Sequence, residues 1–182
     1  MRADALRNRE RLLAAAGELL ASRGHEVTME EIAAEAGVGL GTLYRNFASK
    51  QAMLIEIVRQ RYRHLIELAE RAEAMADPGD AFDAVVTGFL ELAEGDAAFQ
   101  RAMLSEDLEW EGVAEQKEAF AAPVSRIIAA GVAAGSLRAD LTFTDVPMLV
   151  CGVMATMYFR PGVGADWRRH LALALAGTRP GS

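Results

Sequence analysis

Thr42, Tyr44, Arg45 and Asn46 fall within five consecutive positions of the stretch GVGLGTLYRNFASK, which runs from Gly37 to Lys50. They offer a hydroxyl, a phenol, a guanidinium and an amide, and Lys50 adds an ammonium. Side chains of these types donate to phosphate oxygens and fix the register of a protein on a duplex. Thr42, Asn46 and Lys50 recur every fourth residue, one turn apart along one face if the segment is helical. Gly41, between them, lets a backbone approach closely. A glycine-jointed turn between two core helices, with its polar residues solvated, has the same local spacing. Taken alone, the spacing leaves both readings open.

Such groups need elements to position them, and helical periodicity dominates the chain. Leu12, Ala16, Leu19 and Leu20 lie on one face of a first helix predicted to end near Gly24. Thr28 followed by Glu31 is a capping-box pattern and predicts a second helix over 29–36, ended by Gly37. A short third helix is predicted over 40–47, with Leu43 and Phe47 packing inward beside Val38 and Ile32. Helix, glycine turn and short helix together make a helix-turn-helix, whose second helix enters the major groove at its N-terminal part. Ser49 is placed to cap a fourth helix running to about Ala76, with Leu54, Ile57, Val58, Leu65 and Leu68 on one side. Asp77-Pro78-Gly79-Asp80 breaks it. Further helices are predicted over 80–94, 96–107, 113–134 (interrupted or bent near Pro123), 144–158 and 166–176, with 135–142 as a connector. No strand-like alternation persists. The predicted class is all-α, with a helix-turn-helix head over 1–49 and a helical ligand-binding and dimerisation body over 50–182.

Composition narrows the partners. Hydrophobic residues are 52% and charged residues 25% of 182, an ordinary foldable balance. The net charge of −7 is unevenly spread: residues 1–50 hold seven basic and seven acidic residues, and residues 51–182 hold twelve and nineteen. The head is therefore neutral, and binding to phosphate depends on such local balance. A single cysteine, Cys151, excludes an intrachain disulfide and a multi-cysteine zinc site and fits a reducing cytosol. The opening residues show no signal-peptide pattern, and no apolar run reaches the ~18 residues of a membrane span, so no membrane partner is expected. His25, His64 and His170 are scattered, and no phosphate loop, nucleophile elbow or zinc-protease motif occurs. No catalytic residue, metal or cofactor is expected.

In the body, Phe89, Phe99, Met103, Trp110, Phe120, Met154 and Tyr158 are the candidate lining of a soft apolar pocket for a small molecule. Plain core is the competing reading of such a stripe. Trp110 within Glu106-Asp107-Leu108-Glu109-Trp110-Glu111 could also meet a cationic ligand. The last two helices are apolar on more faces than a monomer surface needs. Val150, Val153, Leu171 and Leu175 are the candidate dimer interface.

Residues 7 to 60 resemble the TetR/AcrR family of bacterial transcriptional regulators. The likeness is carried by Arg11, Ala14-Ala15-Ala16, Gly24, Thr28, Ile32-Ala33, Ala36-Gly37-Val38, Gly41 through Phe47, and Ser49-Lys50. A weaker likeness, to the connector of an actinobacterial-type subgroup, covers Gly135, Leu137-Arg138, Asp140-Leu141 and Thr144. The resemblance implies a cytoplasmic repressor that binds a palindromic DNA operator as a homodimer and is released by a small-molecule effector. By position it implies that Leu40, Gly41 and Tyr44 neighbour base edges, and that Thr28, Thr42, Tyr44, Arg45, Asn46 and Lys50 meet the backbone. It also implies that the last two helices pair with their mates in a four-helix bundle. Many members have serine where this chain has Gly39 and a polar residue where it has Leu40. A leucine reads a thymine methyl, not a hydrogen-bonding edge, so shape takes a larger share of readout. The alternative is a helical small-molecule or protein-interaction module that does not bind DNA.

Overall fold

The computed structural model describes residues 2–23, 26–104, 110–159 and 166–181, which contain helices and turns and no strand. In chain order the helices are α1 (Arg2–Arg23), α2 (Met29–Glu35), α3 (Leu40–Asn46), α4 (Lys50–Glu73), α5 (Pro78–Glu94), α6 (Ala97–Met103), α7 (Ala114–Ala134), α8 (Asp145–Phe159) and α9 (Trp167–Ala176), with a 3-10 turn at Trp110–Val113. The chain is all-α, as its periodicity predicts. It forms two compact units, Met1–Gln60 with Asp96–Val113, and Arg61–Gly95 with Ala114–Ser182. The first unit thus extends beyond residue 49, to Gln60, and takes in α6.

In the first unit, α2 and α3 pack on α1, and the apolar faces close over one core. Leu12, Ala16, Val27, Ile32, Leu43 and Met53 are fully or almost fully buried there, with Phe47 and Ile57 beside them. The predicted capping box is present: Thr28 Oγ1 accepts from the Glu31 amide at 3.2 Å, and the Thr28 amide donates to Glu31 Oε2 at 2.8 Å. Ser49 caps α4, its Oγ accepting from the Ala52 amide at 3.1 Å. Gly17 of α1 lies against Ala98 of α6. Arg59 donates to the Gly112 carbonyl at 2.7 Å, tying the 3-10 turn to α4.

In the second unit, α5 packs against α7 and α8, and α8 against α9. α5 begins two residues earlier than its periodicity suggests. Asp77 is the N-cap, accepting from the Asp80 amide at 2.9 Å, and Pro78 occupies the first turn, where its missing N–H costs nothing. α7 continues through Pro123, which is buried. Phe82, Val85 and Val86 of α5, Val124 of α7 and Met154 of α8 are wholly buried. Two polar ties secure the chain's end: Trp167 Nε1 donates to Glu94 Oε1 at 2.7 Å, and Arg179 Nη2 to Asp83 Oδ2 at 2.6 Å.

Candidate nucleic-acid interface

The interface is built on α3, two turns long and anchored on one side only. Leu43 is fully buried and Phe47 nearly so, which fixes the helix's roll about its axis. The turn before it works because Gly37 takes a φ of 62°, a left-handed conformation that L side chains disfavour. With the inner face pinned, Leu40 and Tyr44 stand outward at 39% and 49% exposure. Gly41 and Arg45 are exposed too, and Thr42, Asn46 and Lys50 are half-buried.

The hydrogen bonds decide which groups stay available. Arg45 Nη2 donates to Thr42 Oγ1 at 2.9 Å, leaving the Thr42 hydroxyl hydrogen to turn outward. Asn46 Nδ2 donates back to the Thr42 carbonyl at 2.8 Å, so half of that amide serves the helix itself. Lys50 sits in the first turn of α4. Thr28 is exposed, yet its hydroxyl donates to Glu31 Oε2 at 3.2 Å. A phosphate needs a donor, so Thr28 would have to leave its capping partner to meet one. Arg23 lies 2.8 Å from Glu31. The Thr28 amide, and then Arg23, hold that carboxyl below its ordinary range. A Cβ placed on Gly41 would have Arg45 Nη1 as its nearest neighbour, 3.9 Å away. Within the chain itself the position has room for a side chain.

Two arginines that the periodicity did not single out complete the unit. Arg11 Nη2 reaches the Gly37 carbonyl at the end of α2, at 3.5 Å. Arg9 reaches the end of α3 and stacks on Phe47. Their signal in the sequence is slight: two cations on α1 with nothing to say which neighbour they serve.

The signature of the TetR family of bacterial regulatory proteins matches residues 12–57, and that of the SbtR-like transcriptional regulator C-terminal domain matches residues 77–180. The second covers more than half of the chain. The chain belongs to the TetR family. An HTH-type transcriptional regulator of Staphylococcus aureus is 39% identical over 61 residues, so this TetR-family chain spans 33% of the length of such curated relatives. A solved TetR regulatory protein from Mycobacterium vanbaalenii is 31% identical, with 98% of each chain covered and a TM-score of 0.63. One from Streptomyces coelicolor is 29% identical over 96% of this chain and 99% of its own, with a TM-score of 0.64. FadR from Bacillus subtilis, solved in complex with stearoyl-CoA, shares the fold at a TM-score of 0.76 and 21% identity, covering 93% of this chain and 99% of that one. The helix-turn-helix of α2 and α3 lies within the first of the two signatures.

The other candidate residues of this TetR-family chain divide between its units. Phe99, Met103 and Trp110 belong to the first, and Phe89, Phe120, Met154 and Tyr158 to the second. Phe89 and Phe120 meet, their ring centroids 6.2 Å apart. Phe120 also meets Tyr62 at 6.0 Å and Phe143 at 6.1 Å, two rings absent from the sequence-derived set. Tyr62 could have been found, since it lies on the same face of α4 as Val58 and Leu65. The side chains of Trp110 and Tyr158, and the acidic residues 106–109, lie outside the described residues. Cys151 is half-buried, and burial pushes its thiol up, away from the thiolate a nucleophile needs.

The dimer candidates are mostly buried within the single chain. Val150, Val153 and Leu171 are 2%, 1% and 4% exposed within the single chain, and Leu175 is half-buried. The first three fill the second unit's own core. The outward faces of the last two helices carry other residues: Met148 at 78% and Leu173 at 60% exposure, with Gly152, Ala172 and Ala176. On α8 both faces are largely apolar, so hydropathy alone does not tell the inward from the outward one, whereas the outward side of α9 also carries Arg168, Arg169 and His170. Among the described residues, no helix is long and apolar enough to cross a membrane.

Proposed function

We propose that this protein is a cytoplasmic, ligand-responsive repressor that binds a palindromic operator as a homodimer and is released by a small-molecule effector. One observation carries the DNA assignment: α3 is locked by Leu43 and Phe47 while Leu40, Gly41, Tyr44 and Arg45 stand exposed on its other side. A short helix held in this way offers its N-terminal residues to base edges and its flanks to phosphates. The reading gives Leu40, Gly41 and Tyr44 to the bases, and Thr42, Tyr44, Arg45, Asn46 and Lys50 to the backbone. Thr28 is the weakest of the backbone set because its hydroxyl serves the capping box.

The exposed apolar residues Met148 and Leu173 of α8 and α9 support the homodimer, with Gly152 also at the contact. The effector site falls in the second unit, against Phe89, Phe120 and Met154, with Tyr62 and Phe143 beside them. A 100-fold loss of operator affinity on effector binding needs about 2.7 kcal/mol of coupling. The chain passes between the units at Gln60–Arg61 within α4, at Gly95–Asp96 and at Val113–Ala114, and α4 is the crossing that continues one helix through both.

The test is a selection of bound duplexes from random DNA with the purified full chain, followed by gel shifts on the winner. A palindromic consensus with two half-sites, bound far more tightly than a scrambled duplex, is the expected result. Failure to enrich any sequence would overturn the reading.

A further inference from the structure

We propose that Arg9 is a positioning residue for α3: it touches no DNA, yet sets how sharply the helix discriminates between sequences. The inference rests on α3 being the DNA-reading helix. Arg9 extends from α1 and engages three partners at once. Its Nη1 donates to the Asn46 carbonyl, the last residue of α3, at 3.4 Å. Its Nη2 lies 3.2 Å from Glu56 Oε2 on α4. Its guanidinium carbon stands 4.4 Å over the Phe47 ring, directly after α3.

Each contact constrains a different freedom. The carbonyl bond holds the C-terminal end of α3, where helix carbonyls lack partners and a cation meets the negative end of the dipole. The stack clamps Phe47, one of the two side chains that fix the helix's roll. The pair with Glu56 anchors the guanidinium itself, so the clamp has a fixed base. Only a planar fork can stack on a ring while two of its nitrogens reach different acceptors; an ammonium cannot. With these groups engaged inward, Arg9 supplies no phosphate contact. Its loss lets α3 rock about its remaining anchor, Leu43, and blurs the base-facing row without removing a cation from the duplex surface.

The test compares Arg9→Ala, Arg9→Lys and Glu56→Gln with the wild type and with Lys50→Ala. Affinity for the selected duplex and a scrambled duplex is measured over a salt series, at a temperature where circular dichroism shows each protein folded. Arg9→Ala and Arg9→Lys are expected to lower the ratio of selected to scrambled affinity about tenfold, comparable to one weakened base contact. The slope of log affinity against log salt stays that of the wild type, whereas Lys50→Ala lowers it by about one. Glu56→Gln gives a smaller loss in the same direction, and carries the test if an Arg9 variant does not fold. An unchanged ratio in the folded variants, full rescue by lysine, or a slope lowered by about one in Arg9→Ala would each overturn the proposal. A wild type that prefers no duplex would instead remove the DNA reading, and the role of Arg9 with it.

Discussion

Tyr44 and Lys50 carry different kinds of information. Lys50 opens α4 and is a cation beside the reading helix; Tyr44 stands outward from the middle of α3. Lys50→Ala is expected to weaken binding to every duplex alike and to lower the salt slope by about one, because each neutralised phosphate releases about one counterion. Tyr44→Ala is expected to weaken the selected duplex more than a scrambled one and to leave the slope unchanged, since a phenol releases no counterion. Gel shifts across a salt series separate the two, and unaltered affinity in both variants would count against the interface. Leu40 bears on the same question. Exposed, and unable to hydrogen-bond a base, it leaves Tyr44 and the shape of the groove a larger share of readout.

Elements hold these residues in place, and their energetics can be tested separately from DNA. The capping box at the start of α2 is the clearest case. Thr28→Ala removes the acceptor for the Glu31 amide and is expected to cost about 1 kcal/mol in urea unfolding. Glu31 has a pH dependence of the same origin. Its folded-state pKa lies below the ordinary 4.5, so its contribution is present above that value and is lost as pH falls through the lowered one. The stability gap between wild type and Glu31→Gln is therefore expected to be largest near neutral pH and to close in acid. A gap that persists at low pH would show that Glu31 acts through packing instead. This box was legible because the Thr-x-x-Glu spacing encodes the hydrogen bonds themselves. The inward turn of Leu43 and Phe47 was legible for a similar reason, since helical periodicity separates the two faces of α3. The faces of α8 were not. Val150 and Val153 point into the core and Met148 and Gly152 away from it, but all four are apolar and their order carries no polar marker. Arg9 was illegible for another reason: its partners lie 37 residues and more along the chain, where spacing carries no information. In the second unit Phe120 tests core against cavity. It is nearly buried and meets three other rings. If those rings close on it fully, Phe120→Ala costs about 3–5 kcal/mol in urea unfolding. A cost well below that would mean that the side chain borders open space.

For the whole molecule, the decisive quantity is the number of heads held together. A single α3 covers only a few base pairs, and a twofold pair must present its two reading helices about 34 Å apart to meet one face of the duplex. That requires a surface for a second copy, and Met148 and Leu173 stand exposed on α8 and α9, with Gly152 on the same face as Met148. Gly152 discriminates best here. It is exposed, and a Cβ placed on it meets nothing within 4 Å, so a larger side chain has room in the single chain. Between two closely packed helices the same side chain has none. Gly152→Arg is therefore expected to keep the melting temperature of the isolated fold and its helical dichroism while sedimenting as a monomer. Affinity for a full palindrome should then fall to that for a half-site, since the second head no longer binds at the effective concentration the dimer supplied. Leu173→Glu should act in the same direction through desolvation of a charge. If both variants sediment as the wild type does, the contact between copies lies on another face, and the spacing of the two α3 helices would have to be set there.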